Sequence, residues 1–340
     1  MKRFALFTLI VISLLIVPYL ISPARGAQKF VIKMSTLASA GSPWMQIFDE
    51  LNADVMQKTD KNVRFKIYPG GILGDEKIIL KKMYFGQIQG AVLTASSLTA
   101  IFKEMDVLQV PLLFQDYDEV DYVTLKMGPF FKKGLEEKGY VLLGWSEGGF
   151  VRLMSLSPIA TLEDLKRAKV WIWEVAPMAH AIFKEADVAA IPLSVPDVLV
   201  GLQTGMVNVV YAPPAGAIDL QWFTKIKYIT DVPLIFLTGG IVVKKDLFDR
   251  LPANYKQVLS ESFKVHMVKL RQMVRSENRE ALKVMAKYGI KIVEVSDEQQ
   301  EAFKRLSEKA VRQPGSRCFS DAVLNRLSGY LEEYRSRDKP

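Results

Sequence analysis

Two histidines, one cysteine and 37 carboxylates spread along the chain are what it offers for metal or acid/base chemistry. His180 and His266 fall in separate segments with helical apolar spacing, far apart and with no Cys partner near either. A metal centre needs more such ligands, closer together. Cys318 stands alone, so it forms no internal disulfide, and its surroundings suggest no metal site. Glu147, Glu174 and Asp197 have the chemistry of general acids or bases, but nothing in their spacing singles one out. There is no GxSxG elbow and no phosphate-binding loop. The residues therefore predict no catalytic group, no metal and no cofactor. Binding chemistry is better represented. Arg152 carries a planar, permanently charged donor pair suited to a carboxylate, or to an internal ion pair with Glu147 or Glu174. Five tryptophans, at 44, 145, 171, 173 and 222, fall in the first two thirds of the chain. A tryptophan on a strand is ordinarily core, and Trp145 and Trp173 are read that way.

Something must position these groups. With 340 residues the chain is long enough for two ordinary domains, and 49% hydrophobic with 24% charged residues is a globular composition. The N-terminus departs from it. Lys2 and Arg3 precede the apolar run Phe4–Ile21, which exits through Ser22-Pro23-Ala24-Arg25-Gly26-Ala27. A basic start, an apolar middle and small residues at the exit make a secretory signal, residues 1–26, with the cut expected after Gly26 or Ala27. An uncleaved anchor is the alternative, because the run is just long enough to span a bilayer. Removing the signal takes away Lys2, Arg3 and Arg25 and leaves 42 basic against 37 acidic residues. These alternate along the chain and form no basic stripe, so no nucleic-acid partner is expected.

Gln28–Ser35, Val63–Tyr68 and Gly90–Thr94 read as strands. The helix opened by Gly41-Ser42-Pro43, with Trp44, Ile47, Leu51 and Val55 at helical spacing, and a shorter one at Glu76–Phe85 lie between them. A second set follows: strands at Val141–Trp145, Val151–Ser155, Lys169–Trp173, Val207–Tyr211 and Ile241–Lys244, helices at Pro177–Ala186 and Val195–Thr204. The alternation predicts α/β units with parallel strands. Pro252–Tyr288 is one nearly unbroken helical run, reaching ~50 Å and so long enough to lie across two lobes. The remainder, Asp297–Arg337, is helical and charged.

Thr161–Trp173, TLEDLKRAKVWIW, together with Gly148–Arg152, GGFVR, resembles a block of the solute-binding proteins of tripartite ATP-independent periplasmic (TRAP) transporters. Gly41-Ser42-Pro43 is similar to the opening GSP of that family, and Tyr68–Gly74 to its FPxGQLG turn. Gly86–Gln89, Pro111–Phe114 and Leu199–Asn208 match further segments in order, with Asn208 in place of Asp. The resemblance covers about residues 28–310. It implies a two-lobed periplasmic binding protein fold of the class II type, closing on a small-molecule ligand, with no enzymatic activity. Implied boundaries are 27–149 for lobe I, 150–238 for lobe II, 239–277 for a return to lobe I, and 278–340 for lobe II helices and the tail.

In the family's DLxGxKxR block the closing Arg clamps the substrate carboxylate. Here Asp164, Leu165 and Lys169 keep their places and Trp171 stands where that Arg belongs. Arg152 aligns with a second basic residue near the substrate. Ala212, in the turn Tyr211-Ala212-Pro213, replaces a ligand-binding Asn, and a usually polar segment runs through Asp231-Val232-Pro233-Leu234 into Ile235-Phe236. The resemblance thus implies a pocket formed by Trp44, Arg152, Trp171, Tyr211, Ala212, Pro213 and Phe236, for an apolar ligand, or an amphipathic one gripped at a carboxylate by Arg152. A small organic acid held by Arg152 alone, and an exported enzyme on this scaffold, are the alternatives. The implied partners are a TRAP permease in the membrane and a repeat-containing periplasmic protein.

Overall fold

The computed structural model describes residues 29–313 and 317–337. The expected signal segment, residues 1–26, lies outside them. Among the described residues no helix is long and apolar enough to cross a membrane.

The first lobe begins with β1 (Phe30–Ser35), α1 (Pro43–Lys58), β2 (Val63–Tyr68), α2 (Glu76–Tyr84) and β3 (Gly90–Thr94). The Ser42 hydroxyl accepts from Met45 N at 3.3 Å and starts α1, with Pro43 in the first turn, where a missing N–H costs nothing. Met45, Phe48, Leu51 and Val55 form its buried stripe. After α3 (Ala95–Leu98) and a 3-10 segment (Lys103–Gln109) comes α4 (Tyr117–Glu137). The sequence reading passed over α4, which carries Gly128-Pro129 in its interior. Then β4 (Tyr140–Ser155) leaves for the second lobe.

That lobe holds α5 (Leu162–Lys166), β5 (Val170–Trp173), α6 (Pro177–Glu185), β6 (Ala190–Leu193), α7 (Val198–Thr204), β7 (Val209–Ala212), α8 (Pro214–Asp219) and β8 (Tyr228–Thr230). β9 (Ile235–Lys244) returns, followed by α9 (Lys245–Asp249), α10 (Ala253–Lys287), β10 (Lys291–Val293), α11 (Asp297–Arg312) and α12 (Asp321–Arg337). The strands run in the order β2-β1-β3-β9-β4-β7-β5-β6, with β8 beside the end of β4 and β10 on β8.

Three expectations need correction. The strands are not all parallel: β9 is antiparallel to both β3 and β4, and β4 is antiparallel to β7 and β8. The reason is that β4 runs out of the first lobe and β9 runs back. Also, Val141–Trp145 and Val151–Ser155 are one strand, not two. Gly148-Gly149 lies at a bulge in it, with a register shift between Glu147 and Gly149. The implied lobe boundaries at 149/150 and 238/239 fall inside these two strands. Moreover α12, assigned by the sequence reading to the second lobe, packs against α4 of the first. Val323, Leu327 and Leu331 join Val120 and Val123 in one apolar cluster, and Arg335 grips the buried Glu119 at 2.6 and 2.9 Å.

The 35 residues of α10 extend ~50 Å along both lobes. Arg275 on this helix clamps Glu147 of β4 at 2.8 and 3.0 Å and Asp121 of α4 at 2.7 and 2.9 Å. One turn on, Asn278 donates to Gly148 O at 2.8 Å and accepts from Ala215 N of α8 at 3.1 Å. The helix is thereby fastened to the bulge where β4 passes between lobes. Gly149 there has φ +100°, and a Cβ on it would lie 2.5 Å from Asn278 Nδ2. Gly149→Ala is expected to destabilise the fold by about 1–3 kcal/mol, through backbone strain and loss of this contact. A urea midpoint equal to wild type would show that the bulge relaxes freely.

Candidate functional site

A cavity of about 340 Å³ lies between the lobes. Strand alternation decides what lines it. On β5, Trp171 and Trp173 face the cavity, while Val170 and Ile172 pack in the cluster behind. On β4, Val151 and Leu153 face it, and on β9, Ile235 and Leu237 do.

Of the residues expected to contact a ligand, Trp44, Trp171, Tyr211, Ala212 and Pro213 line the cavity and Arg152 and Phe236 do not. The two-residue period of a strand turns both of the latter to the opposite face. Arg152 there forms an ion pair with Asp231. Phe236 is buried against Phe114, Tyr117 and Phe150, with ring centroids at 6.3, 5.9 and 5.1 Å. Trp173, read from sequence as core, is a lining residue, and so is Trp222.

The aromatic wall is closely packed. Trp171 is only 2% exposed. Its ring stacks on Tyr211 at 4.7 Å and meets Trp222 edge-on at 5.2 Å. Its indole N–H donates to Leu193 O at 3.0 Å. The Tyr211 hydroxyl in turn accepts from Trp173 N at 3.1 Å. The wall is also tied across to the first lobe, where Asp75 Oδ2 accepts from Trp173 Nε1 at 2.8 Å and from Val195 N at 3.2 Å.

Charge in the lining has one sign. Its ionisable carboxyls are Glu76, Glu147, Asp219 and Glu277, and among the described residues no Lys, Arg or His lines the cavity. Glu147 is neutralised from behind by Arg275. Glu76 is 4% exposed and accepts from Thr94 N at 3.1 Å and from Thr94 Oγ1 at 2.7 Å. Burial pushes its carboxyl up to about 7.

A raised acid binds its proton more tightly folded than unfolded. Its contribution is therefore full below the unfolded value near 4.5 and is lost as pH rises through about 7. Stability is expected to fall across that window by on the order of 3 kcal/mol from this group. Asp106, pushed up to about 6 by burial, titrates in the same window, so the comparison with Glu76→Gln isolates the effect. Urea midpoints of Glu76→Gln that decline with pH as steeply as wild type would rule it out.

The acid/base candidates are not assembled. Glu147 pairs with Arg275, Glu174 with Lys77, and Asp197 with the Ser194 hydroxyl. His180 is exposed on α6, and His266, buried on α10, has its Nδ1 2.8 Å from Ser262 O. Among the described residues no group of three or more His, Cys, Asp or Glu is placed to hold a metal.

Residues 34–316 match the family described as bacterial extracellular solute-binding protein, family 7. The 2,3-diketo-L-gulonate-binding periplasmic protein YiaO of Escherichia coli is 26% identical over 254 residues, covering 72% of this chain and 75% of that one. The C4-dicarboxylate-binding periplasmic protein DctP of Rhodobacter capsulatus is 24% identical over 268 residues, covering 77% and 79%. The sugar acid binding protein DctPAm of Advenella mimigardefordensis, solved with galactonate, superposes with a TM-score of 0.83 over 90% of this chain and 99% of that one, at 19% identity. A TRAP solute-binding protein of Desulfovibrio salexigens with bound orotic acid gives 0.80, over 91% and 99%, at 20% identity. The two-lobed fold is that of these structures. Such proteins bind small molecules and work with membrane permeases; they are not enzymes. This chain belongs to bacterial extracellular solute-binding protein family 7, the solute-binding proteins of TRAP transporters.

Proposed function

We propose that this protein, exported by its N-terminal segment, captures a largely apolar, uncharged ligand between its lobes and delivers it to a TRAP permease. The observation that carries the reading is the cavity lining. Four carboxyls and no described cation surround a space walled by Trp44, Trp171, Trp173, Trp222 and aliphatic side chains. A ligand carboxylate placed there would lose its hydration and find no cation among the described lining residues to pair with. An apolar ligand gains about 0.8 kcal/mol for each methylene removed from water. Arg152 does not offset this, because it faces away and is paired with Asp231.

A small organic acid is the second reading, favoured by the relatives that bind 2,3-diketo-L-gulonate, C4-dicarboxylates and galactonate. Native mass spectrometry of the protein purified without added ligand tests the choice. A co-purified neutral, apolar species supports the proposal. A co-purified sugar acid, or calorimetric binding of galactonate or a C4-dicarboxylate, overturns it.

A further inference from the structure

A second cavity, of about 300 Å³, opens in the first lobe between α4 and α10, over β4. Glu147 and Thr238, cross-strand partners on β4 and β9, line both cavities, and the rest of the two linings differs. The second cavity lies where the two apolar clusters of the first lobe adjoin. Trp145 packs on one cluster, Leu143 and Met267 on the other, and all three are only half-buried. Unlike the interlobe cavity, this one has cations in its lining: Lys264 and Arg271, on one face of α10. Its carboxylates are already taken. Arg275 grips Asp121 at 2.7 and 2.9 Å and Glu147 at 2.8 and 3.0 Å. Arg271 is left with a single hydrogen bond, Nη1 to Asp121 Oδ1 at 3.3 Å, and most of its donors unused. Lys264 is exposed and has no ion pair among the described residues.

We infer that this cavity is a second small-molecule site, and that it takes a monocarboxylate with a short apolar body, such as an aromatic acid. The Arg271 guanidinium offers the carboxylate a two-pronged, permanently charged contact, and Lys264 adds a second charge. Leu143, Trp145, Met267 and Val268 face the apolar body. The Met267 thioether suits an aromatic ring in particular, because sulfur and ring edges attract. A polyhydroxylated acid is the wrong chemistry here: its hydroxyls would lose water against an apolar floor that offers them no partner. The site does not depend on what the interlobe cavity holds, since the cations that serve it are absent from that lining.

The tryptophans report on the two cavities separately, because Trp145 lines the second while Trp44, Trp171, Trp173 and Trp222 line the first. Benzoate is titrated into the mature protein labelled with 5-fluorotryptophan. It is expected to shift the fluorine signal of Trp145, assigned through Trp145→Phe, and to leave the other four in place. Its affinity is expected to fall about tenfold in Arg271→Met, the scale of a hydrogen bond to a charged group, and to weaken with added salt. Lys264→Met should lower it by a smaller factor and carries the test should Arg271→Met fold poorly. Ethylbenzene, the same ring without the charge, should bind beside Trp145 about tenfold more weakly than benzoate. No shift at any tryptophan overturns the second site and leaves the apolar-ligand reading of the interlobe cavity standing. Shifts at the other four without one at Trp145 overturn both, since a carboxylate then occupies the interlobe cavity. A Trp145 shift with wild-type affinity in both variants overturns the role of the cations and with it the assigned ligand class.

Discussion

Trp171→Ala is expected to lower folding stability by about 3–5 kcal/mol, the range for truncating a buried aromatic ring to a methyl. The site gives several reasons for a value at the upper end. The ring is stacked on Tyr211 and meets Trp222 edge-on, so its loss leaves two aromatic faces without a partner. Leu193 O loses its indole donor as well. Trp171→Phe keeps most of the ring and should cost about 1 kcal/mol, chiefly for that hydrogen bond. Trp171→Arg is expected to be the worst tolerated, because it desolvates a cation where a buried ring now packs. Ligand capture should follow the same order, since the residue is at once core of the second lobe and wall of the cavity. If Trp171→Arg instead folds and gains affinity for galactonate, this position marks a head-group site, and the organic-acid reading revives. Wild-type urea midpoints and wild-type binding in both the Ala and Arg variants would contradict the role assigned to the ring.

How far this was legible in the sequence depends on distance along the chain. Local patterns were readable: the Ser42-Pro43 start of α1, the strand at β5, and the long apolar stripe of α10. Sheet direction was not, because alternating helices and strands suggest parallel pairing, and only the partners of β4 and β9 reveal that these two strands pass between lobes. The glycine pair at 148–149 looked like a break and is a bulge. On the site, Trp171 was found and Trp173 was set aside as core, although residues two apart on a strand share a face; that period alone was the missed signal. The same arithmetic, applied to Val151-Arg152-Leu153 and Ile235-Phe236-Leu237, would have put Arg152 and Phe236 on the far side once one neighbour was known to face the ligand. What no local pattern carries is the pairing of Asp75 with Trp173, or of Arg275 with Glu147, across about 100 residues or more.

Asp75 is expected to set the affinity of this protein by holding the lobes together. The carboxylate sits at the N-terminus of α2 in the first lobe, where Oδ1 accepts from Glu76 N at 2.7 Å and caps the helix. Oδ2 crosses the cleft to Trp173 Nε1 and to Val195 N. Hydrogen bonds to a charged group contribute about 1.5–3 kcal/mol each, so the pair stabilises the closed arrangement by about 3–6 kcal/mol. The neighbouring Lys77–Glu174 ion pair, also across the cleft at 2.7 Å, is solvent-exposed and contributes far less. If the free protein is open, this stability enters directly into capture. Asp75→Ser separates the two duties of the residue: a serine hydroxyl still caps α2, but it is too short to reach the indole. Affinity for the co-purified ligand should fall about a hundredfold or more, with little change in urea midpoint. Trp173→Phe removes the partner from the other lobe, and the double variant should lose little beyond Asp75→Ser for this contact, the signature of a coupled pair. Small-angle scattering supplies the independent readout. Wild type should compact on ligand addition, and Asp75→Ser should compact less at equal ligand concentration. Unchanged affinity in Asp75→Ser, with a ligand-bound profile identical to wild type, would mean that the two hydrogen bonds form without driving closure.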